Sequence, residues 1–327
     1  MPTMHREIMD ALPAGGDISM KELSAKTGRG RKNILGACLL LEKQGLVVVK
    51  KPLFGILGDY TVRKVRDMTS EEDNKLKSKV IAVINQKGGV GKTITAINVA
   101  ACLSKSGKKT LLVDLDPQCN STCSLLSQRT QKSVYDTLTG SAPAEDVIVK
   151  TAFPMLDIIP SNINLVGAEI ELVSEKNREM RLRDSLAGVR ESYEYIIIDC
   201  PPSLSLLTIN ALAACDSVLI PVQCDYFALD GLKQLMNTID LVRTRLNNSL
   251  RIEGIVLTMY EPQNKLSVKI AREVEGNFRN NVLTPTIHRD VMLSESVNQR
   301  KPIVYYDAGS RASKEYTELT NAIMQNG

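Results

Sequence analysis

Apolar residues follow one pattern before about residue 67 and another after about residue 79. In the later part, short β-branched runs alternate with segments of helical period. Most of these runs are apolar nearly throughout, so both of their faces should be buried, as in a mainly parallel sheet with helices on both faces. The predicted fold class is therefore α/β. The predicted strands are Val80–Asn85, Thr110–Asp114, Leu156–Pro160, Tyr195–Asp199, Ser217–Pro221, Ile252–Thr258 and Val282–Ile287.

The earlier part of the chain has helical periodicity first and short apolar stretches afterwards. Ser19 is a candidate N-cap with Glu22 at the capping-box spacing, and Gly28 and Gly45 stand where two helices should end. These signals predict three helices followed by a two-stranded wing. The helices are His5–Ala14, Ser19–Thr27 and Lys32–Gln44, and the strands are Leu46–Val49 and Tyr60–Val62, joined by a basic turn at 50–59.

Charge and composition favour a boundary between two units. Residues 67–79 are polar and charged without an apolar period, which is typical of a linker or a solvated helix. The predicted domains are therefore 1–66 and 80–327, joined by that segment. Residues 1–66 hold 12 Lys and Arg against 6 Asp and Glu, whereas the remainder holds 29 against 31. A basic surplus on a small unit is a footprint of nucleic-acid binding, although solvated lysines give the same count.

Several protein classes do not fit the composition. No run of about 18 uncharged apolar residues occurs, and the first residues are charged, so we expect a cytoplasmic protein without a membrane span. The seven cysteines are scattered without a Cys-x-x-Cys pair, and there are two histidines. This pattern favours buried thiols over a zinc site or a disulfide framework.

A glycine-rich loop follows the first strand of the later part and reads Lys-Gly-Gly-Val-Gly-Lys-Thr over residues 87–93. Glycines at the start of a helix let backbone N–H groups converge on phosphate oxygens. Lys92 would contact the β- and γ-phosphates of a nucleotide, and the Thr93 hydroxyl would ligate Mg²⁺. Asp116 and Asp199 come at the ends of two later strands, beside the loop in such a sheet. The sequence thus predicts an ATPase that uses ATP and Mg²⁺.

The loop departs from the common phosphate-loop pattern, because Gln86 replaces its first glycine and Lys87 adds a second lysine. It resembles the deviant loop of ParA and MinD partition ATPases and of the nitrogenase iron protein, members of which form ATP-sandwich dimers. The resemblance implies that Lys87 reaches the partner subunit's nucleotide, that Asp116 positions the attacking water, and that Asp199 is a Walker B residue. The implied catalytic residues are Lys87, Lys92 and Asp116, and the implied metal residues are Thr93, Asp116 and Asp199.

Within that superfamily, the segments 219–232, 256–263 and 287–319 are similar to ParA/Soj partition ATPases. In that branch, a loop near the C-terminus and a Thr-Met segment pack around adenine. His288 and Asp290 replace the usual Pro and Asn of the loop, which alters the implied adenine contacts. The predicted nucleotide-binding residues are Lys87, Gly88, Gly89, Val90, Gly91, Lys92, Thr93, Ile94, Met259, His288, Arg289 and Asp290.

Two sets of basic residues are candidates for DNA contact. Residues 18–51 resemble the winged helix-turn-helix family, which uses the start of its second helix in the major groove, although winged helices also serve as protein-docking or dimerising modules. That helix start carries Arg29, Arg31, Lys32 and Asn33. The ParA resemblance adds nonspecific, salt-sensitive phosphate contacts near the C-terminus. These candidates are Lys265, Lys269, Arg300 and Lys301.

The resemblance implies a plasmid or chromosome segregation ATPase. Such a protein would dimerise with itself on ATP, bind DNA without sequence preference in the nucleoid, and be stimulated by a ParB-like centromere-binding protein. An alternative is an ATP-sensing repressor that acts through the winged helix, with autorepression of the partition operon as one form. The C-terminal segment 315–327 is short and acidic to neutral, which argues against a MinD-like membrane helix.

Overall fold

The computed structural model describes residues 2–13, 17–43, 46–50, 60–65, 78–128 and 130–326. The chain divides into two compact units, Met1–Lys75 and Leu76–Gly327, each with its own internal contacts. Residues 51–59 of the predicted turn at 50–59, Gly45 and most of the predicted linker lie outside the described residues.

The first unit has three helices and a three-stranded antiparallel sheet. Strand β1 was missed from the sequence, because three residues are too few to show an alternating pattern; the sheet order is β1-β3-β2, so the predicted two strands gain a third. The helices pack on the sheet around a core that includes Ile8, Leu23, Ile34 and Leu41, all fully buried. The elements are α1 (Pro2–Ala11), β1 (Asp17–Ser19), α2 (Met20–Thr27), α3 (Arg31–Lys43), β2 (Val47–Lys50) and β3 (Thr61–Lys64).

Capping fixes the ends of α2 as the sequence indicated. The Ser19 hydroxyl accepts the Glu22 N–H at 3.2 Å, and the Glu22 carboxylate accepts the Ser19 N–H at 3.1 Å. Gly28 ends the helix in the left-handed region, with φ of 66°, which a residue with a Cβ adopts only at a cost. The following helix begins at Arg31, so Arg29 precedes it rather than starting it, a correction to the predicted helix start.

The second unit is a seven-stranded sheet with helices on both faces. Its strands are β4 (Lys79–Val83), β5 (Thr110–Asp114), β6 (Val149–Lys150), β7 (Leu156–Ile159), β8 (Tyr195–Asp199), β9 (Ser217–Gln223) and β10 (Arg251–Thr258). Its longer helices are α4 (Lys92–Lys105), α5 (Asn120–Leu125), α6 (Val134–Thr139), α7 (Leu165–Glu171), α8 (Arg181–Leu186), α9 (Leu206–Ala214), α10 (Ala228–Arg245), α11 (Lys265–Phe278), α12 (Val291–Asn298), α13 (Ile303–Tyr306) and α14 (Arg311–Gln325).

The strand order is β10-β9-β4-β8-β5-β7-β6, and every pairing except β6 with β7 is parallel. The central strands are buried on both faces, as their continuous apolar runs predicted. One hydrophobic cluster fills each side of the sheet, and α4 with α14 cover one side. Parallel order brings the carboxyl ends of β4, β5, β8 and β9 to one edge, and the α/β prediction is confirmed.

Three predictions about strands were wrong or incomplete. The predicted strand Val282–Ile287 is not a strand; it touches β10 only through isolated bonds, including the Leu283 N–H to the Ile255 carbonyl at 2.8 Å. Pro285 has no backbone N–H to donate within that segment, which interrupts a ladder. The two-residue edge strand β6 was missed because it is too short to show a period. Lys79, assigned to the linker, belongs to β4.

Among the residues described, none of the helices is both long enough and apolar enough to cross a bilayer.

Candidate nucleotide site

The glycine-rich loop connects β4 to α4 at the carboxyl edge of the sheet. Gly89 and Gly91 have φ of 75° and 88°, in the left-handed region that favours glycine. Gly91 is the N-cap of α4 and carries no capping side chain, so the first N–H groups of that helix have no intrahelical acceptor. Open N–H groups at a helix start form a positive site for an anion.

Neighbouring strands hold the loop in place. The Lys87 N–H donates to Asn85 Oδ1 at 3.0 Å, and Asn85 Nδ2 donates to the Pro221 carbonyl at 2.7 Å. On the other side, Thr258 Oγ1 at the end of β10 donates to the Val90 carbonyl at 2.9 Å. The loop is therefore tied to two strands and presents a fixed backbone to a ligand.

The two loop lysines have different surroundings. Lys92 is 7% exposed, and its ammonium donates to the Lys87 carbonyl at 2.9 Å. Burial lowers the pKa of Lys92, while Asp199 and Asp116 oppose that shift. Lys87 is partly exposed and forms an ion pair with Asp225, the residue just past β9. One lysine is thus buried against the loop backbone, and the other is partly exposed and paired with a carboxylate.

Three aspartates lie at the ends of β5 and β8. Asp114 and Asp199 are fully buried and Asp116 is 6% exposed. Asp114 Oδ2 accepts the Thr122 hydroxyl at 2.6 Å, and its Oδ1 accepts the Asp116 N–H at 3.2 Å. Burial raises the pKa of Asp114 to about 6 and, helped by the nearby Asp114 carboxylate, raises that of Asp199 to about 8. These carboxyls are costly to ionise without a cation beside them.

Asp199 is suited to receive a cation. Its Oδ2 accepts the Ser121 hydroxyl at 2.8 Å, whereas its buried Oδ1 has no hydrogen-bond partner. Thr93 lies close enough for its hydroxyl to lower the Asp199 pKa. No cluster of three His, Cys, Asp or Glu side chains able to hold a metal occurs in the described ranges. A hydrated Mg²⁺ that takes its other oxygens from Thr93 and a ligand's phosphates fits these residues.

A cavity of about 390 Å³ lies near the end of β10, two residues beyond the loop contact made by Thr258. The rings of Tyr260 and His288 line it and meet edge to face at 5.3 Å. Glu315 holds His288 through the ring Nδ1 at 2.7 Å and the backbone N–H at 3.0 Å. The other lining residues are Glu261, Pro262, Gln263, Asn264, Arg289 and Arg311.

The residues predicted to contact adenine do not all line this cavity. His288 and Arg289 line it, and Arg289 pairs with Glu261 at 2.6 Å. Met259 takes a left-handed backbone with φ of 50° directly before Tyr260. The Asp290 carboxylate instead accepts the Met292 N–H at 3.0 Å as the N-cap of α12.

Known proteins share this arrangement over most of the chain. The family described as AAA domain matches residues 78–252, which is more than half of the chain. The sporulation initiation inhibitor protein Soj of Bacillus subtilis is 50% identical over 251 residues, which cover 76% of this chain and 99% of Soj. The chromosome partitioning protein ParA of Myxococcus xanthus is 46% identical over 249 residues, 76% of this chain and 88% of that protein.

The chain belongs to the ParA/Soj family of partitioning ATPases. A solved structure agrees with the fold: the Mycobacterium smegmatis protein named cobyrinic acid a,c-diamide synthase, with bound ADP and magnesium. It is 34% identical, has a TM-score of 0.67, and covers 76% of this chain and 94% of its own. Because nearly all of Soj is matched, about a quarter of this ParA/Soj-family chain has no counterpart in it.

In the second unit, the four basic residues predicted for DNA contact belong to segments other than the loop. Lys265 and Lys269 are on α11 and line an open groove of about 550 Å³ with Arg272. Arg300 and Lys301 are exposed between α12 and α13. The second unit of this family member therefore carries its candidate DNA contacts on two separate exposed segments.

In the first unit, one of the candidate DNA contacts is already paired. Both Arg29 Nε and Arg29 Nη2 reach the Glu7 carboxylate, at 3.1 and 3.2 Å. Arg31 and Asn33 are exposed at the start of α3, and Lys32 lies in the same helix.

Several residues of this ParA/Soj-family site were missed from the sequence. Asp225 follows the carboxyl end of a strand, so the rule that selected Asp116 and Asp199 applies to it as well. Ser121 and Thr122 lie on a short helix after the Asp114 strand, and no local motif marks them as partners of buried carboxylates. Glu315 comes from the last helix, far along the chain from His288, and only the folded arrangement shows their contact.

Proposed function

We propose that this chain is a DNA partition ATPase that works as an ATP-dependent dimerisation switch. The observation that carries the proposal is its 50% identity with Soj along 99% of that protein, in a chain whose phosphate loop has a second, partly exposed lysine, Lys87. Lys92 already supplies the lysine that a phosphate loop needs, and Lys87 is instead held by Asp225. A second subunit would give that lysine a role.

In this proposal the loop N–H groups and Lys92 bind the ATP phosphates. Thr93 and Asp199 would hold Mg²⁺, with Asp116 beside them, and the cation would neutralise charge on the phosphate oxygens. Asp116 would orient the attacking water, since its carboxylate is buried next to the loop. Phosphoryl transfer depends mainly on positioning and on charge stabilisation, and these residues provide both. The cavity lined by Tyr260 and His288 would receive the adenine.

Lys87 would act between subunits. Without a partner it pairs with Asp225 of its own chain, which satisfies its charge. In the ATP-bound dimer it would leave that carboxylate and contact the nucleotide of the second subunit. Lys87→Ala should therefore retain ATP binding and lose ATP-dependent dimerisation. Size-exclusion chromatography with light scattering, in ATP and in ADP, tests this, with Lys132→Ala as a surface-lysine control.

DNA binding by the dimer would use phosphate contacts without base readout. Lys265 and Lys269 on one helix, with Arg300 and Lys301, form the proposed basic surface. A dimer doubles the number of such contacts, so affinity should rise steeply on dimerisation and fall steeply with salt. A ParB-like centromere-binding protein is the proposed partner that stimulates hydrolysis and releases the DNA. Such a switch would work on DNA in the cytoplasm.

A second candidate function rests on the first unit. We infer that it is a winged helix, because α2 ends at a left-handed Gly28 and α3 begins three residues later with Arg31, followed by an antiparallel sheet. It would let the chain act as an ATP-sensing repressor, alone or together with partition. Since Glu7 holds Arg29, we expect Arg31, Lys32 and Asn33 to make the base-proximal contacts.

Gel shifts separate these functions. Random DNA and DNA from the chain's own promoter are titrated without nucleotide, with ADP, and with a slowly hydrolysed ATP analogue. Partition predicts sequence-blind binding that requires the ATP analogue and is lost in Lys265→Glu/Lys269→Glu. Operator binding that ignores nucleotide and is lost only in Arg31→Ala/Asn33→Ala would support the repressor and contradict the partition proposal. Lys92→Ala should abolish hydrolysis; full activity in that variant would refute the site assignment.

A further inference from the structure

The ring of His288 is held in one orientation by a single buried carboxylate. Glu315 Oε1 lies 2.7 Å from the ring Nδ1, and Glu315 Oε2 accepts the backbone N–H of His288 at 3.0 Å. Glu315 belongs to α14 and is 8% exposed, so water has little access to the pair. Because backbone and ring are bound to the same carboxylate, the ring cannot turn without breaking one of these contacts.

The carboxylate also decides which ring nitrogen of His288 carries the proton. An ionised carboxylate only accepts hydrogen bonds, so Nδ1 must donate to Glu315. In a neutral ring with its proton on Nδ1, the second nitrogen, Nε2, is an acceptor. In the part of the chain that the structure describes, Nε2 has no hydrogen-bond partner, and it is not sealed from solvent. Since His288 lines the cavity at the end of β10, this acceptor is available to a ligand there.

Other polar side chains around the cavity are paired or can serve as donor and acceptor alike. Arg289 is held by Glu261 at 2.6 Å, and Arg311 donates to the Arg289 carbonyl at 3.2 Å. Gln263 is exposed, and its amide can turn either its oxygen or its NH₂ group toward a ligand. The Tyr260 hydroxyl can likewise donate or accept. We therefore expect little discrimination between ligands from these groups.

A fixed acceptor distinguishes the purine bases at one position. Adenine has a 6-amino group, which donates, where guanine and hypoxanthine have a 6-oxo group, which accepts. The acceptor nitrogen of the ring would bond the amino group, but it would meet the oxo oxygen without a proton between them. A site arranged for one hydrogen bond rejects an analogue that cannot form it, because polar groups are left unpaired. The cavity volume of about 390 Å³ lies in the range of small-ligand pockets.

We propose that His288 selects adenine over 6-oxopurines and that Glu315 fixes the tautomer which makes this selection possible. The inference rests on the proposed function, because it takes the cavity to hold the base of the nucleotide bound at the phosphate loop. His288 contacts the base, and Glu315 is a positioning residue that acts through the ring. The phosphate loop meets the same triphosphate in every nucleotide, so selection of the base is separate from binding of the phosphates.

Replacing Glu315 by glutamine tests the tautomer while keeping the ring. The backbone N–H of His288 can only donate, so the amide oxygen of the new side chain must face it and the amide NH₂ must face Nδ1. Nδ1 then accepts a hydrogen bond, the ring proton moves to Nε2, and the nitrogen at the cavity becomes a donor. Glu315→Gln should therefore shift the preference from adenine toward hypoxanthine.

The experiment measures ATP and inosine triphosphate (ITP) as competitors of a ribose-labelled fluorescent ATP analogue. ITP is the probe because its base, hypoxanthine, has the 6-oxo group without the 2-amino group of guanine. The full-length chain is used with Mg²⁺ at pH 8.5, which favours the neutral imidazole. The proteins are wild type, Glu315→Gln, His288→Phe and Glu318→Gln. Glu318 is exposed on the same helix, so its replacement is a matched control for the change of charge.

We expect wild type and Glu318→Gln to bind ATP about tenfold or more tightly than ITP. His288→Phe should lose most of that preference, chiefly through weaker ATP binding. Glu315→Gln should lose it through tighter ITP binding as well, so that the two nucleotides bind equally or ITP binds better. Circular dichroism checks that each variant is folded.

Three results would contradict the inference. A wild type that binds ATP and ITP equally would overturn it and leave the proposed ATPase standing, because the phosphates are still bound. A folded Glu315→Gln variant with the wild-type preference would overturn the role of the tautomer; if that variant does not fold, an unchanged preference in His288→Phe overturns the inference instead. A wild type that binds neither nucleotide would overturn both this inference and the proposed function.

Discussion

Thr122 is a small residue whose hydroxyl joins Asp114 to Ser161, and its replacement by valine should destabilise the folded protein. Its hydroxyl donates to the buried Asp114 carboxylate at 2.6 Å and accepts the Ser161 N–H at 2.9 Å. Valine has nearly the same shape, so Thr122→Val creates no cavity. It removes one charge-assisted hydrogen bond and leaves a buried N–H without a partner.

The magnitude follows from those two losses. A hydrogen bond to a charged group contributes about 1.5–3 kcal/mol, and an unsatisfied buried donor costs about 1–3 kcal/mol. Asp114 keeps the Thr122 N–H at 2.8 Å, and the new methyl group recovers some apolar burial, so we expect a net loss of about 2–4 kcal/mol. Since the Thr122 hydroxyl lowers the Asp114 pKa against the effect of burial, its removal should raise that pKa further.

Urea unfolding of the nucleotide-free protein measures the loss, with Thr320→Val as the matched control. Thr320 is 1% exposed, and its hydroxyl donates at 2.7 Å to the Tyr316 carbonyl, one turn back in the same helix. Thr320→Val leaves no buried donor without an acceptor, and we expect the free energy of unfolding to change by less than about 1 kcal/mol. If the two variants differ by less than about 1 kcal/mol, the hydrogen bonds around Asp114 do not contribute as argued.

Three further predictions concern stability. Gly254→Ala would place a Cβ 2.3 Å from a leucine side chain and should cost about 1–3 kcal/mol in thermal unfolding, whereas Gly276→Ala, in open space on a helix, should stabilise by about 0.5–1 kcal/mol. In EDTA, the Asp199 carboxyl has a pKa of about 8 in the folded state and 3.8 in the unfolded state, so between these values the folded state holds a proton that the unfolded state has lost. The free energy of unfolding should therefore fall as pH rises from 3.8 toward 8. Asp199→Asn should flatten that slope. Lys79→Met leaves the 8% exposed Glu253 without its cation, although the Ser217 hydroxyl still donates to it at 2.7 Å, and should cost about 3–5 kcal/mol. Lys79→Met/Glu253→Gln should recover much of that loss, as calorimetry can show.

Most of the sheet could be predicted because buried parallel strands are continuous apolar runs. Thr110–Asp114 and Tyr195–Asp199 were predicted with their observed bounds for that reason. The segment Val282–Ile287 has apolar ends but contains Pro285, which cannot donate to a ladder, and it lies beside β10 with isolated bonds instead of a strand pairing. At the other extreme, β1 and β6 have too few residues to show any period.

The residues of the candidate site could be predicted where they are contiguous in the sequence, and not where folding brings them together. The phosphate loop is contiguous, so its residues and the need for left-handed glycines could be predicted together. Contacts made only by folding could not be predicted: Glu315 holds His288 from the last helix, and the position of Asp225 after β9 does not show that its partner is Lys87. Such contacts depend on strand order, which no local pattern specifies.

The two loop lysines are linked through one backbone group, and this bears on how ATP could act as a switch. Lys92 donates to the carbonyl of Lys87, and Lys87 is held by Asp225. A phosphate that draws Lys92 away removes its contact with the Lys87 carbonyl and leaves the Lys87 N–H bonded to Asn85. The Lys87 side chain could then leave the Asp225 carboxylate and contact a phosphate on a second subunit. Binding inside the loop and dimerisation outside it would then be coupled through a single residue, and loss of dimerisation with retained ATP binding in Lys87→Ala is the result this coupling requires.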